Sequence, residues 1–264
     1  MLKVENLCLS FARYQGLLGR TQLPCLTGLS LDVAAGEVVA VVGASGAGKS
    51  LLAHAVIGIL PAHARVSGRI LYDDEALGPE RQARLRGREI ALVPQSVSYL
   101  DPLARIGRQV AWAARRAGLP ACDAHEAARR SLAAYGLDEE VLERFPHELS
   151  GGMARRVLLA IATVADARLI IADEPTSGLD EDNVRNAMGH LRALADRDKG
   201  VMIITHDIPA ALRVADRVAV IRDGRTHEIA AAAAFDGKGD ELATKYARRL
   251  WNALPVNTFH VEAA

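Results

Sequence analysis

The stretch GASGAGKS, Gly43 to Ser50, constrains this 264-residue chain more than any other. It follows the apolar run EVVAVV (Glu37 to Val42) and opens a helical pattern from Lys49 to Leu60. A buried strand, glycines that let backbone N–H groups turn inward, and a helix N-terminus with its partial positive charge together make a cradle for an anion. Such a loop belongs at the carboxyl edge of a parallel sheet. RLIIAD (Arg168 to Asp173), GVMIIT (Gly200 to Thr205) and RVAVI (Arg217 to Ile221) supply further strands, continuous in apolar character as strands covered on both faces are. Helical patterns at Glu181 to Asp198 and Ile208 to Ala215 alternate with them, which predicts a doubly wound α/β core.

The chain between the first and second runs reads differently. From about Pro102 to Ala165 the pattern is mainly helical, broken at Gly118-Leu119-Pro120 and Phe145-Pro146. This predicts a helical subdomain, about 98–165, inserted into a core formed by 1–97 and 166–230. Leu2 to Phe11 and Leu26 to Val33 read as antiparallel strands along one edge, and 231–264 as a helical tail running from Gly237 to Leu250 or Trp251 and ended by Pro255. Lys plus Arg and Asp plus Glu both number 32, so no net field argues for nucleic acid or an anionic surface. Cys8, Cys25 and Cys122 are scattered, which argues against a disulfide framework or a zinc site and for a reducing compartment. Lys3 and Glu5 interrupt the first apolar residues, unlike a signal peptide, and no stretch approaches the roughly 20 apolar residues of a membrane span.

The chemistry follows from the order of the motifs. In the P-loop, the residues expected to contact nucleotide are Gly43, Ser45, Gly46, Ala47, Gly48, Lys49, Ser50 and Leu51, with Lys49 reaching the β- and γ-phosphates and the Ser50 hydroxyl ligating Mg²⁺. Asp173 closes an apolar strand and is placed to hold Mg²⁺ through water; Glu174 is then placed to orient and deprotonate an attacking water. Gln95, after the strand-like EIALV, is positioned to touch the Mg²⁺ or the water, and His206, at the end of GVMIIT, to donate to a γ-phosphate oxygen. A lone histidine at a strand end is structural by default; the accompanying motifs reverse that. Phe11 and Tyr14 compete for stacking on the adenine, and a single aromatic in a strand equally suits packing.

A second glycine turn, LSGGM, opens the helix MARRVLLAIATVA, although one cradle holds one nucleotide. Ser150, Gly151 and Gly152 make sense as an anion-binding turn for a nucleotide seated on another chain, two chains lying head to tail with ATP between them. The ordered set GASGAGKS, Gln95, LSGGM, LIIADEP, SGLD (Ser177 to Asp180) and His206 looks like the nucleotide-binding subunit of an ABC transporter. That resemblance implies a P-loop NTPase, RecA-like core, with Asp180 at the subunit contact and the helical insert receiving a membrane partner. LVPQSVSYLDPLARIGRQV, FPHELSGGM and LWNALPVNTF resemble the ATPases of dipeptide, oligopeptide and nickel or metallophore importers. What this implies is a peripheral protein at the cytoplasmic face of the cell membrane, partnered by a second and different ATPase chain, two permeases and an extracytoplasmic binding protein. An exporter ATPase, or a soluble ABC ATPase outside transport, is the alternative. Relatives often carry a cysteine cluster for an iron–sulfur centre near the C-terminus; no cysteine follows Cys122, so none is expected here.

Overall fold

Uninterrupted apolar runs cannot leave one face in water, and the computed structural model, which describes residues 1–15 and 19–258, buries them between layers. In chain order the elements are β1 (Leu2–Gln15), β2 (Gly19–Val33), β3 (Val38–Val42), α1 (Lys49–Ile57), β4 (Ala64–Tyr72), β5 (Glu75–Ala76), α2 (Pro79–Leu85), β6 (Ile90–Val93), α3 (Ile106–Arg116) and α4 (Ala121–Ala134). They continue with α5 (Gly151–Thr163), β7 (Leu169–Asp173), α6 (Glu181–Ala195), β8 (Gly200–Ile204), α7 (Ile208–Leu212), β9 (Arg217–Arg222), β10 (Arg225–Ala231), α8 (Lys245–Asn252) and α9 (Pro255–Thr258). A six-stranded sheet has the order β10-β9-β3-β8-β7-β6, parallel throughout except for β10 at the edge. Every residue of β3, β7 and β8 is buried. Parallel strands end on the same side, so the chain leaves β3, β6, β7 and β8 along one edge.

The second sheet, β2-β1-β4-β5, is antiparallel. Its first two strands run further than the sequence reading had them, and β4 and β5 were not foreseen. The middle of β4 is exposed, so it shows no apolar signal; β10 alternates half-buried with exposed residues and was missed for the same reason. The helices α3, α4 and α5 occupy the stretch read as helical. They share one apolar cluster with the sheet, in which Ile106, Val110, Leu132, Val157 and Leu158 meet Ile170 and Ile203. Among the described residues no helix is long and apolar enough to cross a membrane.

The tail departs from expectation. The chain turns at Gly237 and Gly239, both at positive φ, and the helix starts only after Thr244, whose hydroxyl accepts from Ala247 N at 3.1 Å. Pro255 begins α9 rather than ending a helix, because its fixed φ suits a first helical position. Two features fasten α8. Trp251 packs edge-on against Phe235 at 6.0 Å and donates Nε1–H to Gly237 O at 3.0 Å. Glu228 on β10 accepts from Ala243 N (2.6 Å), Thr244 N (2.9 Å) and the Thr244 hydroxyl (2.6 Å).

Partial burial works to raise the Glu228 pKa, but these donors outweigh it and hold the carboxyl below its ordinary value. A depressed carboxylate contributes stability that is present above its unfolded pKa and lost as pH falls through its folded one. Glu228→Gln is therefore expected to raise amide exchange in Lys245–Asn252 at neutral pH while leaving the six-stranded sheet protected. Wild type should show the same loosening only on acidification. Equal protection of α8 in both proteins at neutral pH would refute the clasp.

Candidate active site

The loop between β3 and α1 is shaped by close packing as much as by its ligand chemistry. Gly43 has φ 154°, and a Cβ there would lie 2.1 Å from the carbonyl oxygen of Ile221 on β9. Gly48 has φ 91°, and its Cβ would meet Leu26 Cδ2 of β2 at 2.5 Å. Both sheets thus press on the loop and hold it against the start of α1, which no side chain caps among the described residues. Ser45 and Gly46 form the exposed crest, Ala47 is buried, and Leu51 packs against the core of the antiparallel sheet. A hollow of about 500 Å³ lies over the crest, walled by Ala44 to Ala47, Arg222, Asp223 and the α8 residues Tyr246, Arg249 and Leu250. Nothing in the sequence pattern placed α8 there.

Lys49 is buried, and its Nζ donates to the carbonyls of Gly43 (2.8 Å) and Ala44 (3.0 Å). Burial pushes the ammonium pKa down, against the pull of Glu174 and Asp173. Asp173 closes β7 and is 3% exposed; its Oδ1 is buried with no hydrogen-bond partner. Burial raises its pKa, opposed by a hydrogen bond from Ser50 and reinforced by the neighbouring Glu174. Glu174 sits at φ 49° with its N–H donating to Ile204 O at 2.8 Å, so the chain bends as it leaves the sheet. Its Oε2 accepts from the Thr205 hydroxyl (3.2 Å) and His206 N (3.4 Å), and His206 Nδ1 lies 2.9 Å from Oε1. The His206 ring is otherwise exposed. Lys49, Ser50, Asp173, Glu174 and His206 therefore converge at one sheet edge.

Gln95 has an exposed side chain in the loop after β6, and its carbonyl accepts Arg155 Nη1 at 2.5 Å. The same nitrogen reaches Glu174 O at 3.3 Å, so Arg155 on α5 joins the loops after β6 and β7. Burial lowers its pKa against the pull of Glu174. Arg155 and Thr205 are the residues that sequence reasoning missed. The only signal for Arg155 was its position one turn into the helix that LSGGM opens.

The remaining candidates form a second group. Ser150 caps α5, accepting from Met153 N at 3.2 Å; a Cβ on Gly151 would meet nothing within 4 Å, and one on Gly152 would lie 3.6 Å from Asn183 Nδ2. Asp180 caps α6, accepting from Asn183 N (2.9 Å) and Nδ2 (2.7 Å), which hold its pKa down. Among the described residues no hydrogen bond links this group to Gly43–Ser50. Phe11, half-buried on β1, lies 5.5 Å from the His63 ring; the Tyr14 side chain lies outside the described residues.

The fit to Mg²⁺ is good. Asp173 offers an unsatisfied buried oxygen next to the Ser50 hydroxyl. Among the described residues no cluster of three His, Cys, Asp or Glu is placed to hold a metal, so a cation here would draw most ligands from phosphate and water, as Mg²⁺ does.

The model of the ABC transporter family matches residues 26–177. The oligopeptide transport ATP-binding protein OppD of Mycobacterium tuberculosis (strain ATCC 25618 / H37Rv) is 38% identical over 239 residues, covering 87% of this chain and 38% of that protein. The dipeptide transport ATP-binding protein DppD of Bacillus subtilis (strain 168) is 33% identical over 239 residues, covering 87% of this chain and 70% of its own length. The chain thus spans little more than a third of the mycobacterial relative. Among solved structures, dimeric MJ0796, a bacterial ABC transporter cassette, is 25% identical with a TM-score of 0.77 over 88% of this chain and 99% of its own. A dimeric post-hydrolysis state of MJ0796 bound to ADP and Pi gives a TM-score of 0.76 over the same shares at 25% identity.

An unsatisfied buried carboxylate destabilises the nucleotide-free protein. Asp173→Asn is expected to gain about 1 kcal/mol, a rise in Tm of about 2–4 °C for a chain of this size. Because the Asp173 pKa is raised, the gain should be largest at neutral pH and shrink as pH falls and the wild-type carboxyl protonates. A Tm at or below wild type at neutral pH would show that the carboxylate is satisfied.

Proposed function

Since the chain belongs to the ABC transporter family as an ATPase cassette, we propose that it hydrolyses ATP to drive import of a small peptide, nickel or a metal chelate through separate permease subunits. The observation that carries this reading is the adjacency of two unlike carboxylates. Asp173 keeps a buried oxygen without a partner, and Glu174 is oriented by Thr205 and His206. A carboxylate poised to orient and deprotonate water is a hydrolytic feature that nucleotide binding alone does not need.

In this reading the N–H groups from Gly43 to Ser50 cradle the phosphates, and Lys49 exchanges its bonds to Gly43 O and Ala44 O for β- and γ-phosphate oxygens. Ser50, Asp173 and Gln95 would hold Mg²⁺, which when bound neutralises charge on the phosphates. Glu174 takes a proton from the attacking water as the new P–O bond forms and the bond to the β-phosphate oxygen breaks, releasing ADP and phosphate. His206 Nδ1 lies against Glu174, which leaves Nε2 for the γ-phosphate. Phe11 is the stacking candidate for adenine. Ser150, Gly151, Gly152 and Asp180 serve the nucleotide on a second ATPase chain, supported by their separation from this chain's own P-loop. The dimeric MJ0796 cassette supports the two-chain assembly, and the oligopeptide and dipeptide transport ATP-binding proteins support a peptide as the cargo. The partners are a different ATPase chain, two permeases and an extracytoplasmic binding protein, with the chain held peripherally at the cytoplasmic face.

Glu174→Gln should lower ATP turnover by about 10²–10⁴-fold while retaining ATP binding, and should accumulate an ATP-dependent dimer visible by light scattering. Unchanged turnover removes Glu174 from the role of base. Tagged Glu174→Gln protein, extracted from its own cell in mild detergent with ATP and Mg²⁺, should bring permeases, a second ATPase and a binding protein identifiable by mass spectrometry. Recovery of this chain alone would refute the transport reading.

A further inference from the structure

A hollow of about 350 Å³ outside the active site is lined by Ala83, Arg84, Arg86, Arg88 and Arg116. It lies where the chain enters β6, at the opposite end of that strand from Gln95. None of the four arginines makes an ion pair among the described residues, whereas Arg81, also on α2, pairs with Glu75. Because the acidic and basic residues of the whole chain balance, this is a local excess and not general basicity.

The guanidinium groups of Arg86, Arg88 and Arg116 are held by backbone and not by counter-charge. Arg86 Nη1 donates to Gly58 O at 3.0 Å, at the C-terminal end of α1. Arg88 Nε donates to Arg116 O at 2.9 Å, and Arg116 Nε to Arg86 O at 3.4 Å. Gly87, at φ 73°, lets Arg116 lie across the turn between Arg86 and Arg88: a Cβ there would stand 3.1 Å from Arg116 Nε. Among the described residues the Arg84 side chain makes no hydrogen bond. Like charges gathered around one hollow repel unless an anion joins them, and each anchored guanidinium retains N–H groups for it. The planar forks match phosphate oxygens in pairs, and a hollow of this size falls at the small end of ligand sites, roughly 300–1,000 Å³.

We propose that Arg84, Arg86, Arg88 and Arg116 form a second anion site for a multiply charged phosphate group, supplied by a free phosphate compound or by the headgroup of an anionic lipid. Since Arg84 to Arg88 lead into β6 and Arg116 ends α3, the bound group ties the helical segment to the sheet.

The test uses the full chain carrying Lys49→Ala, so that the P-loop does not compete for the probe. Inorganic pyrophosphate is titrated by calorimetry, and sedimentation is measured with phosphatidylcholine vesicles that contain or lack phosphatidic acid, whose phosphomonoester is multiply ionisable. Arg84→Glu is expected to weaken binding by about tenfold or more. Arg213→Glu, the same charge change at an exposed arginine outside the hollow, should leave it unchanged. Loss of pyrophosphate binding identifies a free phosphate as the source. Loss confined to vesicles containing phosphatidic acid identifies the headgroup. The site is overturned if neither probe binds, if Arg84→Glu binds as its parent does, or if Arg213→Glu causes an equal loss.

Discussion

The parallel pairing of β7 with β8, which sets Asp173 opposite Ile204, is the constraint on which the rest of the site depends. Both strands end at this pair, so the next residues on each, Glu174 and Thr205-His206, emerge side by side. The bond from Glu174 N to Ile204 O extends the register by one step and turns the carboxylate toward the Thr205 hydroxyl and His206. On its other side β8 pairs with β3, which places the P-loop at the same edge. A slip of one residue would exchange the faces of every side chain in β7 and send Asp173 away from Ser50. The buried apolar residues on both faces forbid that slip, so the core of the sheet is what aligns the carboxylates.

The same burial puts stability and chemistry in conflict. Lys49, Asp173 and Glu174 are all buried, and the environment works against the charge on Lys49 and Asp173. Lys49 meets its need locally by bonding two carbonyls of its own loop, whereas one oxygen of Asp173 meets none. A lysine satisfied by its loop is easily redirected to a phosphate, since one set of acceptors replaces another. An unsatisfied carboxylate is instead ready for a cation and costs stability until one arrives. Violations of this kind belong at functional sites.

Much of this was legible because it rests on short-range signals. Buried parallel strands announce themselves as continuous apolar runs, and the P-loop, Asp173-Glu174 and His206 each sit at the end of one. What stayed hidden depended on contacts remote in sequence. Arg155 is one more arginine in an Arg-rich helix until the fold carries it to Gln95 and Glu174. β4, largely solvated through its middle, shows no clean alternation, and its place is set by pairing with β1 and β5. The α8 start was misplaced because the clasp that sets it, Glu228, lies sixteen residues before Thr244. The hollow lined by Arg84, Arg86, Arg88 and Arg116 joins two segments: the first three stand together in RLRGR, but only the fold brings Arg116 of α3 to them.

Arg155 gives the two groups of site residues a mechanical relation. α5 carries Ser150 to Gly152 at its start and Arg155 one turn later, so a load on the glycine turn is delivered within about 6 Å of helix. Arg155 grips carbonyls and not side chains, which means it acts on the path of the backbone. One of those carbonyls belongs to Glu174, whose φ of 49° lies in the left-handed region. Displacing α5 therefore either breaks the bonds to Gln95 and Glu174 or moves the carboxylate relative to Lys49 and Asp173. α5 thus joins the glycine turn that opens it to the carbonyls of Gln95 and Glu174 through a single side chain one turn on.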